Sequence, residues 1–258
     1  MSTDSGVIEL TPPAAPVEHR PGRPDWSYSK NFEQSHRNNP LYEERYDPEI
    51  GKEIFFAGRR IIRRDNPING GVYLVGGAGE AAVVDDVKDP ALNNVYNNFR
   101  ALLPKDSEGT RRNALNVAWD LAQKQIPYSQ EKVDIIHNEN DIKTDRKILL
   151  GAYIGKGGVC RHQALLAGYL LEKLTQEGIL GGKVSVDRNF IEGRGGHAWV
   201  RYTNSREEVF ILDPAQDYKG TLKDAPKNGW DYRRPEDSAG PVVNKLNQIR
   251  SQLKKFTK

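Results

Sequence analysis

The stretch GKGGVCRHQALLAGYLLEKL, residues 155–174, decides how this chain is read. Gly155, Gly157 and Gly158 interrupt whatever precedes them. From Cys160 onward the apolar positions Ala164, Leu165, Ala167, Leu170, Leu171 and Leu174 recur at helical spacing. They cover much of the circumference, which predicts a buried helix over 160–174. Gly178, Gly181 and Gly182 end it. The period then changes to two, with β-rich runs at 183–190, 197–203 and 208–213 separated by turn residues. A helix followed by successive short-linked strands predicts an α+β fold with an antiparallel sheet, not an alternating α/β one.

Cys160 thus opens a buried helix. The thiolate is the reactive form of cysteine, and a helix N-terminus favours it through free N–H groups and the macrodipole. The same N–H groups can receive an oxyanion. A thiol nucleophile also needs a base, and the base an orienting group. His197 opens one strand and Asp213 closes the next. With Asn204-Ser205-Arg206 as a three-residue hairpin loop, Thr203 pairs with Glu207, Arg201 with Val209, Trp199 with Ile211 and His197 with Asp213. Opposed residues share a face, with Cβ atoms ~4.5–5.5 Å apart, whereas a slip of one residue turns Asp213 to the other face. Singly, each residue has a plain alternative: a small buried thiol, a satisfied strand histidine. Together they stand in nucleophile, base, orienter order.

The words GKGGVCRHQALLAGYLLEKL, GGHAWVRY (195–202) and VFILDPAQ (209–216) resemble the three signature blocks of the transglutaminase-like superfamily: G-x-C before a helix, H-A-W on a strand, and a strand ending L-D-P. LNVAWDLAQKQIPYSQ (115–130) is similar to that family's preceding helix with its closing tyrosine, here Tyr128. The resemblance covers residues 110–218. It implies a papain-like fold, with Cys160 as nucleophile, His197 as base and later acid, and Asp213 as orienter. The implied activity is acyl transfer through a thioester, foremost hydrolysis of amide bonds in a peptide or protein substrate. Transamidation to an amine and a catalytically silent regulatory module are the alternatives. The C-R-H-Q-A-L-L wording is similar to a branch found at the N-terminus of plant Raf-like kinases, known mainly as regulatory. Arylamine N-acetyltransferases carry R-G-G-x-C, but Lys156 stands at their arginine position. This chemistry requires no metal, nucleotide or redox cofactor.

Further candidates surround the nucleophile. Tyr128 and Gly158 are candidate oxyanion or substrate contacts. Trp199 shares a face with His197 and either shields the imidazole or packs in the sheet. Arg161 and His162 tune the thiol, bind substrate, or lie exposed on the first helical turn. Cys160, His162 and His197 lack the spacing of a metal site. Specificity is expected in the loops 129–158 and 191–196.

Composition bounds the rest. The 258 residues carry 38 Lys+Arg against 35 Asp+Glu, a net charge of +3, with no dense basic block, which argues against a nucleic-acid partner. No run approaches the ~18 apolar residues of a membrane span, and residues 1–24 show no signal-peptide core. One cysteine excludes an internal disulfide and fits a reducing compartment, most simply the cytoplasm.

Residues 1–24 hold Pro12, Pro13, Pro16, Pro21 and Pro24 and read as a disordered tail. Trp26, Tyr28, Phe32, Tyr42 and Tyr46 mark 25–50 as an extension wrapping the domain, which spans 51–240. Apolar runs lie at 54–62 and 72–84, and the second contains Gly76, Gly77 and Gly79, read as a turn or loose loop because no phosphate-loop Lys-Ser/Thr follows. Helices are expected at 91–103 and 113–125, then a loop with a short helix over 129–147. In 241–258, Leu246, Ile249, Leu253 and Phe256 predict an amphipathic helix docked on the domain.

Overall fold

The computed structural model describes residues 22–27, 37–48, 51–75, 79–143, 145–227 and 229–238. Residues 1–21 of the tail expected over 1–24, Tyr28 and Phe32 of the expected extension, and the amphipathic helix expected over 241–258 lie outside them.

The architecture is α+β, with three small sheets and four helices among the described residues. Strands β1 (Tyr42–Asp47), β2 (Gly51–Phe56) and β3 (Arg59–Arg60) form one antiparallel sheet. Strands β4 (Val72–Leu74) and β5 (Ala81–Val83) are antiparallel, and β6 (Lys147–Leu149) joins β5 in parallel. The third sheet has the order β10-β9-β8-β7 and is antiparallel throughout. Its strands are β7 (Lys183–Ile191), β8 (Gly195–Thr203), β9 (Val209–Asp213) and β10 (Tyr218–Thr221).

The helices are α1 (Pro90–Leu102), α2 (Ser107–Gln125), α3 (Gln130–Glu139) and α4 (Cys160–Gln176). Local chemistry explains their starts. Asp89, Asp106 and Ser129 each accept a first-turn backbone N–H, from Leu92, Gly109 and Lys132. Asp106 lets α2 begin six residues before its apolar period does. The expected loop over 129–147 contains all ten residues of α3, which buries only Val133 and Ile136 and so leaves little apolar signal.

Helix α4 is the centre of the molecule. Its side chains from His162 to Leu174 are buried almost without break, between α2 on one side and β7 and β8 on the other. Gly168 permits the close approach: a Cβ there would lie 2.8 Å from Ile68 Cδ1 and 3.0 Å from Val186 Cγ2. Ala198, Val200, Tyr202 and Leu212 face the helix. The alternate residues Trp199 and Ile211 face a second cluster with Ile191, Trp230 and Tyr232.

Two sequence expectations are corrected here. The β8–β9 turn lies one residue later than expected. Asn204 Oδ1 accepts from the N–H groups of Arg206 and Glu208, and Glu207 turns the chain at a φ of 61°. Thr203 therefore pairs with Val209 and Arg201 with Ile211, a shift of two residues in the pairing. Because the shift is even, Asp213 keeps the face of His197. The boundary at residue 50 also fails, because β1 and β2 pair across it from Tyr42↔Phe56 to Asp47↔Gly51. Upstream, Asp25 exchanges backbone hydrogen bonds with Phe190 at 2.7 and 3.1 Å, laying Trp26 against the sheet.

The span 229–238 crosses the sheet face opposite α4. Arg234 is its anchor: the guanidinium holds Asp187 at 2.6 and 2.7 Å and Asp65 at 2.9 and 3.0 Å. Asp237 grips Arg201 with a second bidentate pair at 2.7 and 2.8 Å. No helix among the described residues is long and apolar enough to cross a membrane.

Candidate active site

Cys160, His197 and Asp213 come together where the first turn of α4 meets the ends of β8 and β9. Cys160 is partly exposed, His197 is 6% exposed and Asp213 is fully buried. His197 Nε2 lies 2.5 Å from Asp213 Oδ2. A carboxylate only accepts, so Nε2 carries the proton and the other ring nitrogen is left for the thiol. The contact is diagonal across the β8–β9 ladder, a distance an imidazole spans. Asp213 is itself fixed: Tyr232 Oη donates to Oδ2 at 2.8 Å, and the Gln216 N–H donates to Oδ1 at 3.2 Å.

The electrostatics favour a thiolate–imidazolium pair. Burial pushes the Cys160 thiol up. The hydrogen bond and charge of His197, the Ala198 backbone N–H and the Arg161 charge outweigh it, so the net shift is downward. Burial pushes His197 down, and the hydrogen bonds and charges of Asp213 and Cys160 outweigh it, raising His197 to about 9. Among the described residues the Cys160 backbone N–H has no acceptor, as the first N–H of a helix should not, and it can face an oxyanion.

An aromatic cover excludes water from His197. Trp230 packs on the imidazole at 4.7 Å between centroids, and Trp199 stacks on it at 6.0 Å and 29°. Trp26 and Tyr232 meet Trp199 edge-on at 5.7 and 5.2 Å. Asn189, paired with His197 across β7–β8, accepts from Trp230 Nε1 at 2.7 Å and holds that ring in place. Trp199 is fully buried, so it shields and does not touch substrate.

The remaining sequence candidates divide. Tyr128 stands at the mouth, 59% exposed. Burial and the nearby Cys160 raise its hydroxyl pKa, with Arg161 opposing. Gly158 is no oxyanion donor, because its N–H donates to the Pro127 carbonyl at 3.0 Å. Its role is close packing: a Cβ would meet Ile126 Cγ2 at 2.6 Å and His162 Nδ1 at 2.9 Å. His162 is neither exposed nor a substrate contact. Nδ1 accepts from the Val159 N–H at 3.0 Å and Nε2 meets Glu80 at 2.9 Å, so neither nitrogen can join Cys160 and His197 in a ligand set. Burial lowers the His162 pKa to about 4.

Glu80 was not legible in the sequence. It precedes β5, is fully buried, and gathers three side chains from two helices on one carboxylate. Arg161 Nε and Nη2 donate to it at 2.6 and 3.1 Å, and His162 and His137 each approach at 2.9 Å. Tyr153 Oη lies 3.1 Å from His137. Burial raises the Glu80 pKa, and these partners overcome it, holding the carboxyl far below the usual range. A lone acidic residue at the head of the apolar run Ala81–Val83 was the one available signal. An open groove of about 770 Å³, lined by Leu115, Leu180, Tyr202 and Phe210 among others, shares no residue with this site.

The chain matches no family model, no curated protein and no solved structure.

Proposed function

We propose that this protein is a cysteine-dependent acyl-transfer enzyme, a hydrolase of amide bonds in peptides or proteins. One observation carries the reading: the His197 imidazole lies between a thiol on the first turn of a helix and a buried carboxylate. That order of groups is what a thiol nucleophile, its base and an orienter require. A nucleophile helix packed on antiparallel strands that carry histidine and aspartate supports the papain-like, transglutaminase-like reading of the sequence.

The mechanism follows from the groups present. The Cys160 thiolate attacks the amide carbonyl carbon, and the carbonyl electrons move to oxygen. The Cys160 N–H receives that oxyanion, and the Tyr128 hydroxyl is the candidate second donor. On collapse, His197 gives its proton to the leaving nitrogen and the C–N bond breaks, leaving a thioester. Neutral His197 then takes a proton from water, which attacks the thioester, and Cys160 leaves as thiolate. Asp213 keeps the imidazole oriented and stabilises its charged form. Each step uses only groups of this chain, the substrate and water. The single thiol supports a reducing compartment such as the cytoplasm.

The test is the rate of alkylation by iodoacetamide against pH, in the native protein and in His197→Ala. All signal comes from Cys160, the one cysteine. Rapid alkylation well below pH ~8.5, the ordinary thiol midpoint, with that limb lost in the variant, is the expected result. An ordinary thiol unchanged by the substitution overturns the reading.

A further inference from the structure

Arg161 follows the nucleophile directly and is the most constrained charged side chain beside it. A guanidinium has five N–H donors in a fixed plane. Two of them, on Nε and Nη2, bind Glu80 side-on at 2.6 and 3.1 Å. Glu80 cannot swing away, because it is fully buried and also held by His162 and His137. The plane of Arg161 is therefore set before any ligand arrives.

The other donors have no protein acceptor among the described residues. Nη1 is also not among the buried atoms that lack a partner, and the side chain is 19% exposed, so this end of the fork reaches solvent. The charge of Arg161 is felt by Cys160, by the buried Tyr73 and by Tyr128. The guanidinium of Arg188 lies 4.7 Å from the Tyr73 ring. A guanidinium whose remaining Nη1–Nη2 edge reaches solvent one residue from the nucleophile matches the planar, two-oxygen geometry of a carboxylate. In a peptide or protein substrate the planar anion is a carboxylate, from an acidic side chain or from a chain terminus.

We propose that Arg161 is a specificity residue that binds a carboxylate of the substrate next to the carbonyl attacked by Cys160, with Glu80 presenting its free edge to solvent. This rests on the reading of Cys160 as nucleophile, and it adds the class of substrate.

The experiment compares two alkylating reagents of nearly equal size on the native protein at pH 7 and low salt. In both, the thiolate displaces iodide as the S–C bond forms and the C–I bond breaks. Iodoacetamide is neutral and iodoacetate carries a carboxylate. The iodoacetate-to-iodoacetamide rate ratio, divided by the same ratio for N-acetylcysteinamide, is expected to be about tenfold or more above one, roughly 1.4 kcal/mol of preference. It should fall severalfold in Arg161→Gln, where the His197 imidazolium remains, and to an intermediate value in Arg161→Lys, which keeps the charge and loses the fork. A native ratio at the reference value, or one unchanged in Arg161→Gln, overturns the proposal. The two readings fail separately, because the neutral reagent in His197→Ala reports activation by the imidazole, and the change in ratio between the native protein and Arg161→Gln reports Arg161. Protection of Cys160 against iodoacetamide by N-acetylaspartamide or by N-acetylalanylalanine assigns the carboxylate to a side chain or to a chain end. Equal protection by uncharged N-acetylalaninamide counts against Arg161.

Discussion

Replacing Glu80 by glutamine removes one charge and almost no volume, so its effect isolates the electrostatics behind the nucleophile. Glu80 takes Arg161 Nε and His162 Nε2 on Oε1, and Arg161 Nη2 and His137 Nε2 on Oε2. A carboxamide can accept on one side only. Its NH₂ group would face either Arg161 Nε with His162 or Arg161 Nη2 with His137, and the guanidinium would lose its counter-ion. Breaking a buried pair from one side costs about 3–5 kcal/mol. With an m-value of about 3 kcal/mol per M for a chain of this size, the urea midpoint should drop by roughly 1–1.7 M. The double variant Glu80→Gln with Arg161→Met removes both charges and should recover much of that loss, which a double-mutant cycle measures directly. A midpoint lowered by less than ~0.3 M, on the same scale, would refute the argument, since it would mean Arg161 finds another partner or stays hydrated.

Three further outcomes are expected. Asp213→Asn should slow iodoacetamide alkylation at pH 6 by about tenfold or more, because the imidazolium loses the carboxylate that holds its charge; an unchanged rate at that pH would remove Asp213 from the site. The thiol–imidazole pair should contribute most stability between about pH 6.5 and 8.5. His197 is raised to about 9, so its contribution is present below its unfolded value and lost as pH rises through 9. Cys160 is lowered, so its contribution is present above its unfolded value and lost as pH falls through the folded one. Urea midpoints of the native protein and His197→Gln at pH 5.5, 7.5 and 10 should therefore differ most at 7.5, and a constant difference would contradict the pair. Gly158→Ala should cost about 1–3 kcal/mol by driving a methyl group into Ile126 and His162; a neutral melting curve would show that the turn before α4 can yield.

The fold was readable where periodicity is strong. Helix α4 begins at Cys160 as its apolar spacing requires, and the three long strands of the site sheet lie within a residue or two of their alternating runs. The pairing of β8 with β9 was not, because it turns on whether Asn204 sits in the loop or closes it, and a side chain that accepts two backbone N–H groups decides that. The face of Asp213 survived because the displacement was even. The short helix expected within 129–147 is α3, whose bounds left little apolar signal because only two of its residues are buried. What sequence distance hid was long-range: Glu80 is 81 residues from Arg161, and Tyr232 is 19 from Asp213. No local pattern links such residues. Trp26, Trp230 and Tyr232 read as ordinary aromatics until the sheet brings Trp230 onto His197 and the other two onto Trp199.

The strap of residues 229–238 has a consequence for how the chain is made. Synthesis runs from the N-terminus at about 5–20 residues per second. Cys160, His197 and Asp213 leave the ribosome in that order, while Trp230, Tyr232 and the anchoring Arg234 come after all three. Until Arg234 finds Asp187 and Asp65, the imidazole has neither its indole roof nor the phenol that steadies Asp213. A nascent chain halted before residue 230 would hold the reactive groups with Trp199 but without Trp230 and Tyr232, so the thiol site is completed only when the strap and its anchors Arg234 and Asp237 have emerged.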